Sequence, residues 1–68
     1  MNTYGDILRK LRGDRTQEQI AVAVGITKSS WAMYERGERI PRDEVKIKIA
    51  AFFGKTVQDI FFTQFEHI

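Results

Sequence analysis

The chain is divided into short lengths by helix starts and stops. Thr3 stands three residues before Asp6, Thr16 before Gln19, and Thr56 before Asp59. Each threonine can accept from the backbone N–H of the later residue, whose own side chain reaches back, forming a capping box. Thr27, three residues before Ser30, is a fourth start, and Pro41 marks the approach to another. Glycines at 13, 25, 37 and 54 close the first four segments. No long helix fits this pattern, and five short ones do.

The apolar positions agree. Tyr4, Ile7, Leu8 and Leu11 follow i, i+3, i+4, i+7, one stripe of a helix. Ile20, Ala21 and Val24 form a second stripe, and Trp31 and Tyr34 share one side of a third helix. Val45, Ile49, Ala50, Phe52 and Phe53 are the expected core side of the fourth, and Val57, Ile60 and Phe61 belong to a short fifth. Val45 to Ile49 alternates weakly, as a strand would, but the i+4 pairs and the flanking Pro41 and Gly54 favour a helix.

A chain of 68 residues has room for one domain, so 1–68 is read as a single unit. Its 43% hydrophobic content is too high for a disordered tail. The absence of cysteine excludes disulfides and thiolate metal sites, and it suits a cytoplasmic location. The only histidine, His67, is next to the end. No metal, cofactor or small-molecule ligand is therefore expected. No apolar run reaches the length of a membrane span, so no membrane partner is expected. Net charge is +2 and the pI about 9.2, a weak basic excess that leans towards an anionic partner.

The most informative stretch runs from Thr16 to Gly37. Ala21 is small where a second helix must come close, Gly25 makes a turn, and Ile26 returns to the core. In a helix-turn-helix the second helix then enters the DNA major groove N-terminus first. Thr16-Gln17-Glu18, Ile20-Ala21, Val24-Gly25-Ile26-Thr27, Tyr34-Glu35 and Gly37 together resemble the phage-repressor and Cro type (XRE-like) of helix-turn-helix domain. The likeness continues through Pro41, Ile49-Ala50, Phe53-Gly54 and Ile60-Phe61, nearly the whole chain to about residue 62. It implies an all-α, compact five-helix domain of the lambda-repressor-like type, with the helix-turn-helix at about 17–36. Two departures stand out. The linker Gly13-Asp14-Arg15 is about two residues shorter than the usual form, and Lys46 occupies a position that is usually apolar.

On the third helix, a step of about 100° per residue places Lys28, Ser29, Ala32, Met33 and Arg36 opposite the aromatic side. Lys28 and Ser29 fall in its first turn, where recognition helices touch base edges, and Ala32 and Met33 offer apolar contact to a thymine methyl. These four are the expected base contacts. By resemblance, Gln17 and Thr27 clamp backbone phosphates from two helix N-termini. Tyr34 is expected to pack in the core with its hydroxyl near a phosphate. Arg36, Arg39 and Arg42 resemble the loop that family members lay along the backbone. Arg9, Lys10, Arg12 and Arg15 gather at the end of the first helix, where its dipole favours cations. By resemblance again, Arg12 pairs with Glu35.

These expectations describe a sequence-specific double-stranded DNA binder, a repressor-type transcriptional regulator without a sensor domain. An enzyme is excluded because no nucleophile stands with a base and the carboxylates are scattered. The alternative is a protein–protein adaptor on the same helical fold. A single domain makes few base contacts, so a homodimer on a two-fold operator is expected, held weakly. Ile47, which points away from Ile49 and Phe53, is one candidate dimer contact. Phe62, Phe65 and Ile68 in the tail 62–68 are the others; the tail could equally fold back over the core.

Overall fold

A computed structural model describes residues 3–62, and all regular structure among them is helical. The elements are α1 (Tyr4–Arg12), α2 (Gln17–Val24), α3 (Lys28–Glu35), α4 (Asp43–Phe53) and α5 (Val57–Phe61). Thr3, Thr16 and Thr56 each form a complete capping box, with Asp6, Gln19 and Asp59 respectively. Thr27 caps α3 by accepting from the Ser30 N–H, and its hydroxyl also bonds the Ser30 hydroxyl at 2.9 Å. α4 begins at Asp43, two residues after a buried Pro41, with Asp43 and Glu44 facing its positive end.

The core is built from all five helices: Leu8; Ile20, Ala21 and Val24; Trp31 and Tyr34; Ile49 and Ala50; Ile60 and Phe61. Tyr4, Ile7, Leu11, Ile26, Val45, Phe53 and Val57 pack around it, half-buried. Phe52 departs from the expected core side of α4, being 40% exposed. Phe52 points about 100° away from Phe53, beyond the side of α4 that carries Ile49, Ala50 and Phe53 onto the core. Phe52 instead meets Phe53 edge-on, and the Arg15 guanidinium lies 5.4 Å from its ring centre.

That arginine also explains how so short a linker holds. Its Nη2 donates to the Leu11 carbonyl and its Nε to the Arg12 carbonyl, satisfying the end of α1. Gly13, at φ 61° and ψ −129°, supplies the backbone turn in a region essentially closed to other residues. Lys46 is accommodated as well. Its side chain is largely covered, and its ammonium lies 5.7 and 5.1 Å from the ring centres of Phe61 and Phe62.

Candidate nucleic-acid interface

The α2–α3 turn sets the interface. Gly25 takes a left-handed conformation, φ 85° and ψ 35°, and both its N–H and that of Ile26 return to the Ala21 carbonyl. Ile26 is thereby directed onto the core, and α3 starts at once behind Thr27.

α3 has two unlike sides. Trp31, Tyr34 and Glu35 are buried. Lys28, Ser29, Ala32, Met33 and Arg36 line one shallow depression on the opposite side. Lys28 and Ser29 are exposed, and Ala32 and Met33 half-buried. Neither Lys28 nor Ser29 gives a polar group to any other described side chain, so both remain available to an outside partner.

The buried side is anchored by one carboxylate. Glu35 is 3% exposed, the one charged side chain buried among the described residues. Arg12 meets it with two nitrogens, Nε to Oε2 at 2.6 Å and Nη2 to Oε1 at 3.1 Å. Gln17 Nε2 donates to Oε1 at 3.1 Å, and the Trp31 indole N–H donates to Oε2. Burial pushes the Glu35 pKa up, but the hydrogen bonds from Arg12, Gln17 and Trp31 outweigh it and hold the carboxyl below its ordinary range. The structure thus brings Arg12 and Glu35 together deeper than the rim of the core, and α1, α2 and α3 meet at one charge.

Several expected phosphate contacts have partners of their own. The Gln17 amide turns inward to Glu35, which leaves its second N–H and the backbone N–H at the start of α2 for an anion. Arg36 is held by Glu38 through two hydrogen bonds, of 2.9 and 3.1 Å. A phosphate at Arg36 would compete with this exposed carboxylate for the same fork. Arg39 and Arg42 are exposed and, among the described residues, without an ion pair. They line a second depression together with Thr27, Ser30 and Tyr34. Tyr34 is 6% exposed, a core residue, yet among the described residues no buried side-chain oxygen lacks a partner, so its hydroxyl opens to solvent there. Thr27 remains exposed at the start of α3.

Two features were not anticipated from the sequence. Tyr4 donates its hydroxyl to the Arg39 carbonyl at 2.8 Å, fixing the loop after α3 to the start of α1. Gly5 is buried against the end of α3; a Cβ there would lie 2.3 Å from the Glu35 carbonyl oxygen. Of the candidate dimer contacts, Ile47 is 60% exposed and Phe62 is exposed, while Phe65 and Ile68 lie outside the described residues. No helix among the described residues is long and apolar enough to cross a membrane.

A turn of this form between an anchored helix and one with an outward polar face defines a helix-turn-helix protein. The helix-turn-helix family model matches residues 7–60, and the chain belongs to that family, in its XRE-like branch. The chain is 33% identical over 59 residues to the cryptic phage CTXphi transcriptional repressor RstR of Vibrio cholerae, a match covering 84% of this chain and 53% of the repressor. The chain therefore spans about half the length of that relative. It is also 37% identical over 46 residues to an uncharacterised helix-turn-helix-type transcriptional regulator of Methanocaldococcus jannaschii, covering 68% of this chain and 70% of the other. No solved structure matches.

Proposed function

We propose that this chain binds double-stranded DNA sequence-specifically and acts as a transcriptional regulator of the repressor type. The carrying observation is the division of α3, with Trp31, Tyr34 and Glu35 locked into the fold and Lys28 and Ser29 uncommitted beside Ala32 and Met33. Lys28 donates to guanine O6 or N7, Ser29 bonds a neighbouring base edge, and Ala32 and Met33 meet apolar surface in the groove. Gln17 and the start of α2 take a phosphate on one side; Thr27, the Tyr34 hydroxyl, Arg39 and Arg42 take phosphates on the other. Arg36 joins them where DNA displaces Glu38. The names of the relatives support regulation of transcription.

The working unit in this proposal is a cytoplasmic homodimer on a two-fold operator, since one α3 reads too few bases for a unique site. Selection of bound sequences from random duplexes, followed by mobility shifts over a salt series, tests both parts. The expected result is a two-fold consensus bound with steep salt dependence. No enrichment of any sequence would overturn sequence-specific reading, and the absence of salt-dependent binding to duplex DNA would overturn the DNA-binding role in favour of a protein adaptor.

A further inference from the structure

The Glu35 carboxylate is more than the partner of Arg12. Its Oε1 accepts from Arg12 Nη2 and from Gln17 Nε2, each at 3.1 Å, and Gln17 is the first residue of α2. Gln17, Arg12, Thr16 and Lys28 share one depression open to solvent. A glutamine at an exposed helix start ordinarily samples several rotamers, and ordering it on a ligand costs entropy. Here one N–H of the amide is already held by a carboxylate that cannot move, being fixed by the Arg12 fork and the Trp31 indole. The planar amide leaves its second N–H as the only free donor of that side chain.

We propose that Glu35 is a positioning residue for DNA-backbone binding: by holding one N–H of the Gln17 amide, it sets the other to meet a phosphate at the start of α2. The inference rests on the phosphate role given to Gln17 above. It gives Glu35, which touches no DNA, a share in affinity but none in sequence choice. Arg12 neutralises the Glu35 carboxylate, and Lys28 offsets Glu18 in the same depression, so the anion approaches a site without net negative charge.

A thermodynamic cycle tests it. Arg12→Met with Glu35→Leu replaces the ion pair by apolar side chains of similar size, an exchange that folded proteins commonly tolerate, though here it also leaves the buried Trp31 indole N–H without its acceptor. Gln17→Ala is then measured in the wild type and in that background, on the selected operator and on random duplex. A hydrogen bond to a charged group is worth about tenfold in affinity. The expected result is a loss of about tenfold from Gln17→Ala in the wild type, equal on both duplexes, and less than about twofold in the Met/Leu background. An equal loss in both backgrounds would overturn the positioning role while leaving Gln17 a phosphate ligand. No loss in the wild type would remove the phosphate role itself, and the inference with it. A second measurement needs no variant and no DNA. In the folded wild type, one Gln17 side-chain amide proton should exchange with water more slowly than those of exposed Gln58. Equal exchange of both protons at the Gln58 rate would overturn the proposal even if the Met/Leu background failed to fold.

Discussion

Gly5 shows how much one missing side chain can matter. In a helix interior, glycine costs about 1 kcal/mol relative to alanine. Yet a Cβ at this position would enter the Glu35 and Tyr34 carbonyls, which are backbone and cannot swing aside. Gly5→Ala should therefore lower stability by about 1–3 kcal/mol despite its better helix propensity, measured by urea denaturation. Unchanged or raised stability would contradict the close approach. Glu35 makes the complementary case. Arg12→Ala leaves a buried carboxylate with only Gln17 and Trp31, and should cost about 3 kcal/mol, the low end for a buried pair because Arg12 keeps an edge in water. The folded pKa of Glu35 lies below its unfolded value, so its contribution is complete above the ordinary carboxylate range and is lost as pH falls through the folded value. Denaturation midpoints followed from neutral to acid pH should fall more steeply in the wild type than in Glu35→Gln. A residual slope in the variant is expected from Asp6 and Asp59, whose carboxyls are also held low by their capping hydrogen bonds. Parallel curves would remove Glu35 as a source of acid sensitivity.

Among the helices, α2 and α3 divide the work. α2 packs through Ile20, Ala21 and Val24 and, in the proposed complex, brings its N-terminus to the DNA; α3 packs through Trp31 and Tyr34 and offers its other side. Substitutions on the two helices should therefore differ in kind. Lys28→Ala should lose about 1–3 kcal/mol on the best operator and flatten preference at one base position. Gln17→Ala should weaken every duplex by a similar factor. Competition binding on the operator and its single-base variants separates the two, and equal losses for Lys28→Ala on specific and random DNA would remove Lys28 from base readout. Between α1 and α2, the short linker owes its form to Gly13 and to the Arg15 hydrogen bonds to the end of α1. The arginine cluster at this end is thus partly committed inside the fold: Arg9 to Asp6, Arg12 to Glu35, Arg15 to backbone carbonyls.

At the level of the molecule, a single α3 presents few reading groups, which is the ground for the proposed second copy. Ile47 on α4 and Phe62 after α5 are exposed apolar side chains outside the depression that α3 lines with Lys28 and Ser29. Sedimentation of the wild type and of a chain truncated after Phe61, with and without operator, should show a dimer on DNA that the truncation weakens. A monomer throughout, bound at full affinity to a single asymmetric half-site, would refute the pairing.

The helix boundaries were legible along the chain because a cap is a local code. A threonine and its partner three residues on are covalently near, and no distant residue has to cooperate. The α2–α3 turn was legible for the same reason, since Gly25 and Ile26 both bond back to Ala21. Burial was less so. Phe52 and Phe53 are alike in composition, and which of them packs depends on where α4 lies against its neighbours. Gly5 looks like a flaw in a helix until the end of α3 is laid across it. The inward turn of Gln17 and the Arg36–Glu38 fork likewise depend on side-chain rotamers that spacing alone does not select. Local hydrogen bonding can be read from neighbours in sequence; the competition for each buried contact and each charge is settled only when distant segments share one space.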